Sequence, residues 1–361
     1  MTCSRELTMK LTLAHDHKLP TGVLGLAITP EGNRAFAACA DGALYAVDTE
    51  SGKAAAFEER HQSFASGCVL LPDGRTLISG GYDGKLLWHD VETRRCTRRV
   101  QAHQFWNWQL ALSPDGRHLA STTGQYLPGG WKYEPAAEIE PSAKVFNTLS
   151  GELVATFAHT PPVPSCAFSP DGKHLAAANL MGEVRIWDLQ AGSGAKPEAQ
   201  WTSPDFTSWG TVKTHHYCGG IYGLAFSPDG ASLLGCGMGP MTDPMAGNGK
   251  MTWQRWNWRT GERIDQIQEG GSGLMETVAW TPDGAHFVMA GRQAQGTWNA
   301  ALFAAADGSL VHSVDTKKRI THARFTADGQ TLIISGANGQ PQRKDGEWPA
   351  WGRLHIYRIE G

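Results

Sequence analysis

The chain has 361 residues, with 32 Lys and Arg against 35 Asp and Glu and a formal net charge of −3. That balance offers no basic field for nucleic acid, no apolar run is long enough for a membrane helix, and residues 1–17 lack the apolar core and cleavage site of a signal peptide. The seven cysteines are an odd number without a C-x-x-C pair, and no N-x-S/T acceptor occurs, so a reduced, cytoplasmic setting is expected.

In chain order, residues 1–8 read as a leader and MKLTLAH (9–15) as a spare strand. A Pro-Asp-Gly-like turn then recurs seven times: TPEG (29–32), LPDG (71–74), SPDG (113–116), SPDG (169–172), SPDG (227–230), TPDG (281–284) and TADG (326–329). The first two steps between turn positions are 42 residues each. A short apolar run precedes each turn, as in VLGLAI (23–28), and a second follows it, as in RAFAACA (34–40). A third follows another tight turn, as in EVRIWD (183–188), and a fourth follows a Gly turn, as in ELVATFA after TLSG. Four short strands with a turn at every junction make an antiparallel meander. About forty residues per copy fits a propeller blade better than a helical repeat. Cys68 and Cys166 stand four residues before their turn Pro, where other copies carry Leu26, Leu110 and Leu224, so both read as core residues.

These residues resemble the WD40 repeat family across essentially the whole chain. His61, His103 and His159 each stand 11 residues before their turn Pro, where the family carries its His. Trp187-Asp188 reproduces the family's Trp-Asp at the end of the third strand. The resemblance implies an all-β fold: a single seven-bladed propeller over residues 9–361, with strand 9–15 completing the last blade. It further implies that the family's buried hydrogen-bond set falls on His61, Ser79 and Asp83 in blade 2. There the Trp position is His89, which leaves that set incomplete on residue type. Blade 4 keeps His159 and Trp187 but carries Ala177 and Met181 at the hydroxyl and carboxylate positions, so packing must hold it.

Counting between turns locates the extra sequence. From turn Pro to the Trp position takes 17 residues in blades 1, 2 and 4, but 32, 28, 21 and 30 in blades 3, 5, 6 and 7. A further excess lies between blades 4 and 5. Second-to-third and fourth-to-first connections share one face of a meander ring, so nearly all the extra length falls opposite the Pro-Asp-Gly turns. Insertions on one face of a repeat array mark a binding face. They carry Trp131, Tyr133, Phe206, Trp209, Tyr217, Arg343, Trp348 and Trp351, read as exposed. Phe64, Tyr82, Phe105, Trp106 and Trp298 are expected on the same face. Aromatics and Arg anchor interfaces, so these residues are the candidate partner contacts. Excising 124–142 and 337–351 is expected to remove binding and leave stability nearly intact.

Sharper chemistry finds less support. Met238, Met241, Met245 and Met251 lack a Cys or His among them, and His215, His216 and Cys218 lack a fourth ligand at a suitable spacing, so no metal or cofactor is expected. No nucleophile elbow, H-E-x-x-H or phosphate loop occurs. The expected function is a non-enzymatic scaffold for a protein or peptide within a larger complex, with no nucleic acid and no membrane insertion. The alternative is a propeller hydrolase or quinone-dependent oxidoreductase with a site at the channel mouth. The inner-strand ends expected there, Phe64, Trp106, Pro162 and Gly220, are mostly apolar.

Overall fold

In all seven Pro-Asp-Gly-like turns the glycine N–H donates to the carbonyl three residues earlier, and five of them add a Ser or Thr hydroxyl bond. Hydroxyls donate to the Asp two residues on, from Ser113 to Asp115 at 2.6 Å, Ser169 to Asp171 at 2.5 Å and Thr281 to Asp283 at 2.6 Å. The turn glycine takes φ between 66 and 72° in all seven copies, from Gly32 to Gly329, a region that favours a residue without Cβ. The structure, a computed structural model, describes residues 9–127, 134–135, 137–206, 219–243, 248–268, 270–338, 345–346 and 352–361. The expected leader 1–8 lies outside them.

The chain is all-β and built from four-stranded antiparallel units, six of them meanders in sequence order. Unit 1 comprises Val23–Ile28, Arg34–Cys39, Leu44–Asp48 and Ala54–Ala56; unit 2 comprises Ala65–Leu70, Thr76–Gly81, Lys85–Asp90 and Cys96–Gln101. Units 3 and 4 begin at Gln109–Leu112 and Ser165–Phe168. Units 5 and 6, beginning at Gly220–Phe226 and Ser272–Trp280, share one eight-stranded sheet because Gly249 and Lys250 pair with Gly273 and Ser272. Unit 7 has the order Lys10–Leu19, Gly352–Glu360, Thr331–Ala337, Arg319–Phe325. Its N-terminal strand is longer than the expected 9–15 and runs to Leu19, with a register shift between Leu13 and His15.

First strands of consecutive units touch one another in turn, and Arg319–Phe325 of unit 7 touches Val23–Ile28 of unit 1. The Thr321 hydroxyl donates to the Val23 carbonyl at 2.9 Å, and the Ala327 N–H donates to the Pro30 carbonyl at 2.8 Å. The core lies between units. Phe36 and Leu44 of unit 1 meet Cys68 and Leu77 of unit 2, and Leu26 and Val47 of unit 1 meet Ile333, Leu354 and Ile356 of unit 7. Cys68 and Cys166 are buried and free, and burial pushes both thiols up to about 12, as expected of core residues.

The unit 5 insertion continues the sheet. Leu233–Asp243 and Asn248–Trp256 extend the second and third strands, and Met238 faces Met251 across the ladder, both buried. Those two methionines are core, and Met245 lies outside the described residues. Phe206, expected to be exposed, is fully buried with its ring 6.0 Å from Trp256.

Unit 2 completes the hydrogen-bond set that residue type left open. The His61 Nδ1–H donates to Asp83 at 2.9 Å, the Ser79 hydroxyl donates to His61 Nε2 at 2.9 Å, and the His89 Nε2–H donates to Ser79 at 3.2 Å. His89 thus supplies the ring N–H that Trp would bring. In unit 3, His103 reaches Ser121 at 2.6 Å. Unit 4 has no such chain among the described residues: neither His159 nitrogen nor Trp187 Nε1 has a well-formed partner there, and Trp187 is held by stacking on Phe157 at 5.2 Å. Asp188, beside it, caps a short turn by accepting from the Gln190 N–H at 2.9 Å. Ser79→Ala is expected to cost about 2–4 kcal/mol, because it strands two buried ring nitrogens at once. Urea denaturation at pH 7 checks this.

Candidate functional site

Five first strands carry one extra residue near their start. The ladder skips Leu24, Ser66, Tyr222, Glu276 and Thr321 in units 1, 2, 5, 6 and 7. A bulge turns a side chain away from the regular alternation, and here all five line one opening of about 110 Å³ together with Trp108 and Pro164. These seven residues share one sequence position, six residues before the turn Pro or its equivalent Ala327. The opening lies at the start of the first strands, on the face opposite the Pro-Asp-Gly turns.

The mouth is more polar than Phe64, Trp106, Pro162 and Gly220 suggested, and this corrects the expectation drawn from strand ends. Glu276 takes a two-pronged ion pair from Arg319, at 2.6 Å from Nε and 2.8 Å from Nη2, with both side chains largely buried. The Glu276 carboxylate holds the Arg319 guanidinium well above its ordinary range, against the opposing effect of burial. Gln109, Thr321 and His322 add further polar groups to the rim. Their signal was a fixed offset in the repeat, hidden because the bulge breaks the two-residue alternation.

Four of the proposed contacts converge beside this mouth. Tyr82 stacks on Trp106 at 4.4 Å and 4°, Phe105 stacks on Trp106 at 4.7 Å, and Phe64 lies 5.6 Å from Tyr82. Trp108, which the sequence reading did not select, stands edge-on to both Tyr82 and Trp106 at 5.8 and 5.6 Å. All five rings are half-buried. The Trp108 Nε1–H donates to the Gly124 carbonyl at 2.8 Å, and the Trp106 carbonyl accepts from Thr123 at 2.7 Å, so the cluster is fixed to the root of the unit 3 insertion.

That insertion is itself pinned. Glu138 accepts from the N–H groups of Ser142 and His159 at 3.0 and 2.9 Å, while Glu140 accepts from Gln104 N–H and Lys144 Nζ at 2.6 Å each. Between insertion and unit lies a crevice of about 240 Å³ lined by Phe105, Gly124, Ile139 and Pro161. Ile139 is 66% exposed, which leaves an apolar edge beside the aromatic cluster. Excising 124–142 would therefore remove Glu138 and Glu140 from their buried partners, so the expectation of unchanged stability is withdrawn.

Of the remaining expected contacts, Trp298 does not join this site. Trp298 is 6% exposed and packs edge-on against Phe303 in the core, because the long unit 6 strands fold it inward. Trp131, Tyr133, Trp209, Tyr217, Arg343, Trp348 and Trp351 lie outside the described residues, as do His215, His216 and Cys218. Among the described residues, no group of three or more His, Cys, Asp or Glu could hold a metal ion. No helix among them is long and apolar enough to cross a membrane.

Comparison with known proteins agrees with the repeat. Segments 56–90 and 151–188 match the family model described as WD domain, G-beta repeat, so the chain carries WD40 repeats. The two segments end at Asp90 and Asp188, in the units that hold His61, Ser79 and Asp83 and the pair Trp187-Asp188. Protein hir-1 of Neurospora crassa is 26% identical over 167 residues, which cover 43% of this chain and 15% of that protein. The match thus spans well under two thirds of the relative's length.

Proposed function

We propose that the units form a closed, seven-bladed WD40-type propeller over residues 9–361 that acts as a non-enzymatic platform for a protein or peptide partner. Closure is supported by the pairing of Lys10–Leu19 with Gly352–Glu360 and by the Thr321–Val23 and Ala327–Pro30 hydrogen bonds. The observation that carries the functional reading is the half-buried ladder of Phe64, Tyr82, Trp106 and Phe105 beside the mouth. Rigid, pre-stacked rings lose little conformational freedom on binding, and the crevice along Phe105 and Ile139 gives a partner's apolar side chain a place to go. The enzyme alternative finds less support, since the Glu276 carboxylate at the mouth is occupied by Arg319 and is poorly placed to act as a base. Free cysteines at 39, 68, 96, 166 and 236 fit the cytoplasmic setting we propose.

Trp106→Ala is expected to weaken partner capture by about 30-fold, the scale of an interface hot spot. Asp171→Ala, on the opposite face, should leave capture unchanged. The measurement is affinity purification with quantitative mass spectrometry, comparing both variants with wild type at matched folded concentration. Equal capture by Trp106→Ala and wild type would put the binding surface elsewhere.

A further inference from the structure

Below the mouth, the first strands of all seven units enclose a cavity of about 450 Å³. At the position three residues before each turn, six units contribute Ala27, Val69, Ala111, Ala167, Ala225 and Ala279, and all six line the cavity. Unit 7 places Arg324 at the same position, also in the lining. The other walls mix Leu, Ile, Phe and Cys side chains with Gln109, Tyr222, Thr277 and Glu276, whose carboxylate is already paired with Arg319. Small residues on six sides make room for one long cation on the seventh.

Arg324 is not neutralised within this cavity. Arg324 Nη1 donates to the adjoining Ala323 carbonyl at 2.9 Å, and among the described residues it has no carboxylate at ion-pair distance. A guanidinium offers five N–H donors in a planar fork, so most of its hydrogen-bonding capacity is open to the cavity. His322, two residues earlier, lines the same space with Nδ1 unpartnered among the described residues. Burial in apolar surroundings lowers the Arg324 pKa and holds His322 neutral, down to about 3. A cation without a carboxylate partner, in a channel walled partly by alanines and leucines, favours an anion that arrives with its own apolar body.

The geometry points to a binding site for a small organic monocarboxylate, its carboxylate on the Arg324 guanidinium and its apolar tail along the alanine-lined wall. Arg–carboxylate pairing is planar and two-pronged, which selects a carboxylate over an alcohol of equal length. This site is separate from the aromatic ladder, so it stands or falls independently of the partner-binding surface.

Isothermal titration calorimetry on the full chain, with sodium octanoate and 1-octanol as probes, tests the assignment. Wild type should bind octanoate at least 10-fold more tightly than octanol. Arg324→Gln should lose at least 10-fold in octanoate affinity with octanol unchanged, and Arg324→Lys, which keeps the charge but not the fork, should retain only part of it. Circular dichroism melts establish that each variant is folded. Should Arg324→Gln not fold, the octanoate-to-octanol ratio in wild type and Arg324→Lys still decides. Equal affinity for both probes, an unchanged octanoate affinity in Arg324→Gln, or no octanoate binding to folded wild type would each overturn the proposal.

Discussion

Deleting residues 1–19 is expected to abolish cooperative folding of the whole chain, well beyond the loss of a terminal strand. Lys10–Leu19 pairs with Gly352–Glu360 through nine register partners. Leu11 and Leu19 are 4% and 1% exposed, and they enter two separate core clusters. Burying two leucines is worth about 3–6 kcal/mol, and several ladder hydrogen bonds add about 1 kcal/mol each. The sum is on the order of 10 kcal/mol, comparable with the entire stability of a typical domain. The strand also ties neighbouring units together. His17 Nε2 meets the Thr49 carbonyl of unit 1 at 2.8 Å, and the Leu11 N–H meets His312 of unit 6 at 3.4 Å. Removing it would expose Gly352–Glu360 as an open edge, which invites pairing with other chains. The truncated protein should melt broadly and elute as aggregate in size-exclusion chromatography. A sharp melt within a few degrees of the full chain would show that the fold does not depend on this strand.

How far the sequence reached can be judged residue by residue. The hairpin turns and the four-strand unit were legible because a backbone pattern recurs along the chain, while the pairing of the N-terminal strand with the last strand was implied by the family resemblance. Side-chain direction was legible only where alternation held. It failed at the mouth, where bulges in five strands bring Tyr222 and Glu276, six residues before the turn, into a ring expected from the strand ends at Phe64 and Trp106. The same ring was nevertheless present in the sequence as a constant offset from the turn. Residue type misled in a second way at His89, which cannot be a Trp but carries the N–H that the Ser79 oxygen needs. Phe206 and Trp298 looked exposed because they sit in or beside insertions. Both are buried, since an insertion that extends or pins a sheet has a core of its own. Arg324 drew no notice because its meaning depends on six small residues in six other units.

Mild acid is expected to destabilise the protein well before its carboxylates protonate. Burial, with nearby Arg185, holds His159 neutral down to about 3; burial, with Lys144, does the same for His103 down to about 3; and burial, with His61, lowers His89 to about 4. Each folded-state value lies below the unfolded value of about 6.5. The unfolded chain therefore binds more protons as pH falls, and the stability these groups contribute is present above about pH 6.5 and lost progressively toward their folded values. Between pH 7 and pH 5 each site should remove about 2 kcal/mol, and the three together about 6 kcal/mol. Hydroxyl donors hold the turn carboxylates Asp115, Asp171 and Asp229 below their ordinary range, so their contribution persists through this window. The urea midpoint should accordingly fall by roughly half between pH 7 and pH 5. His159→Leu isolates the cause, because both His159 ring nitrogens lack well-formed partners and the site is apolar. At pH 7 the variant should be within about 1 kcal/mol of wild type, and its loss between pH 7 and pH 5 should be smaller by about 2 kcal/mol. An unchanged pH dependence in His159→Leu would mean that His159 is protonated, or solvated, in the folded chain.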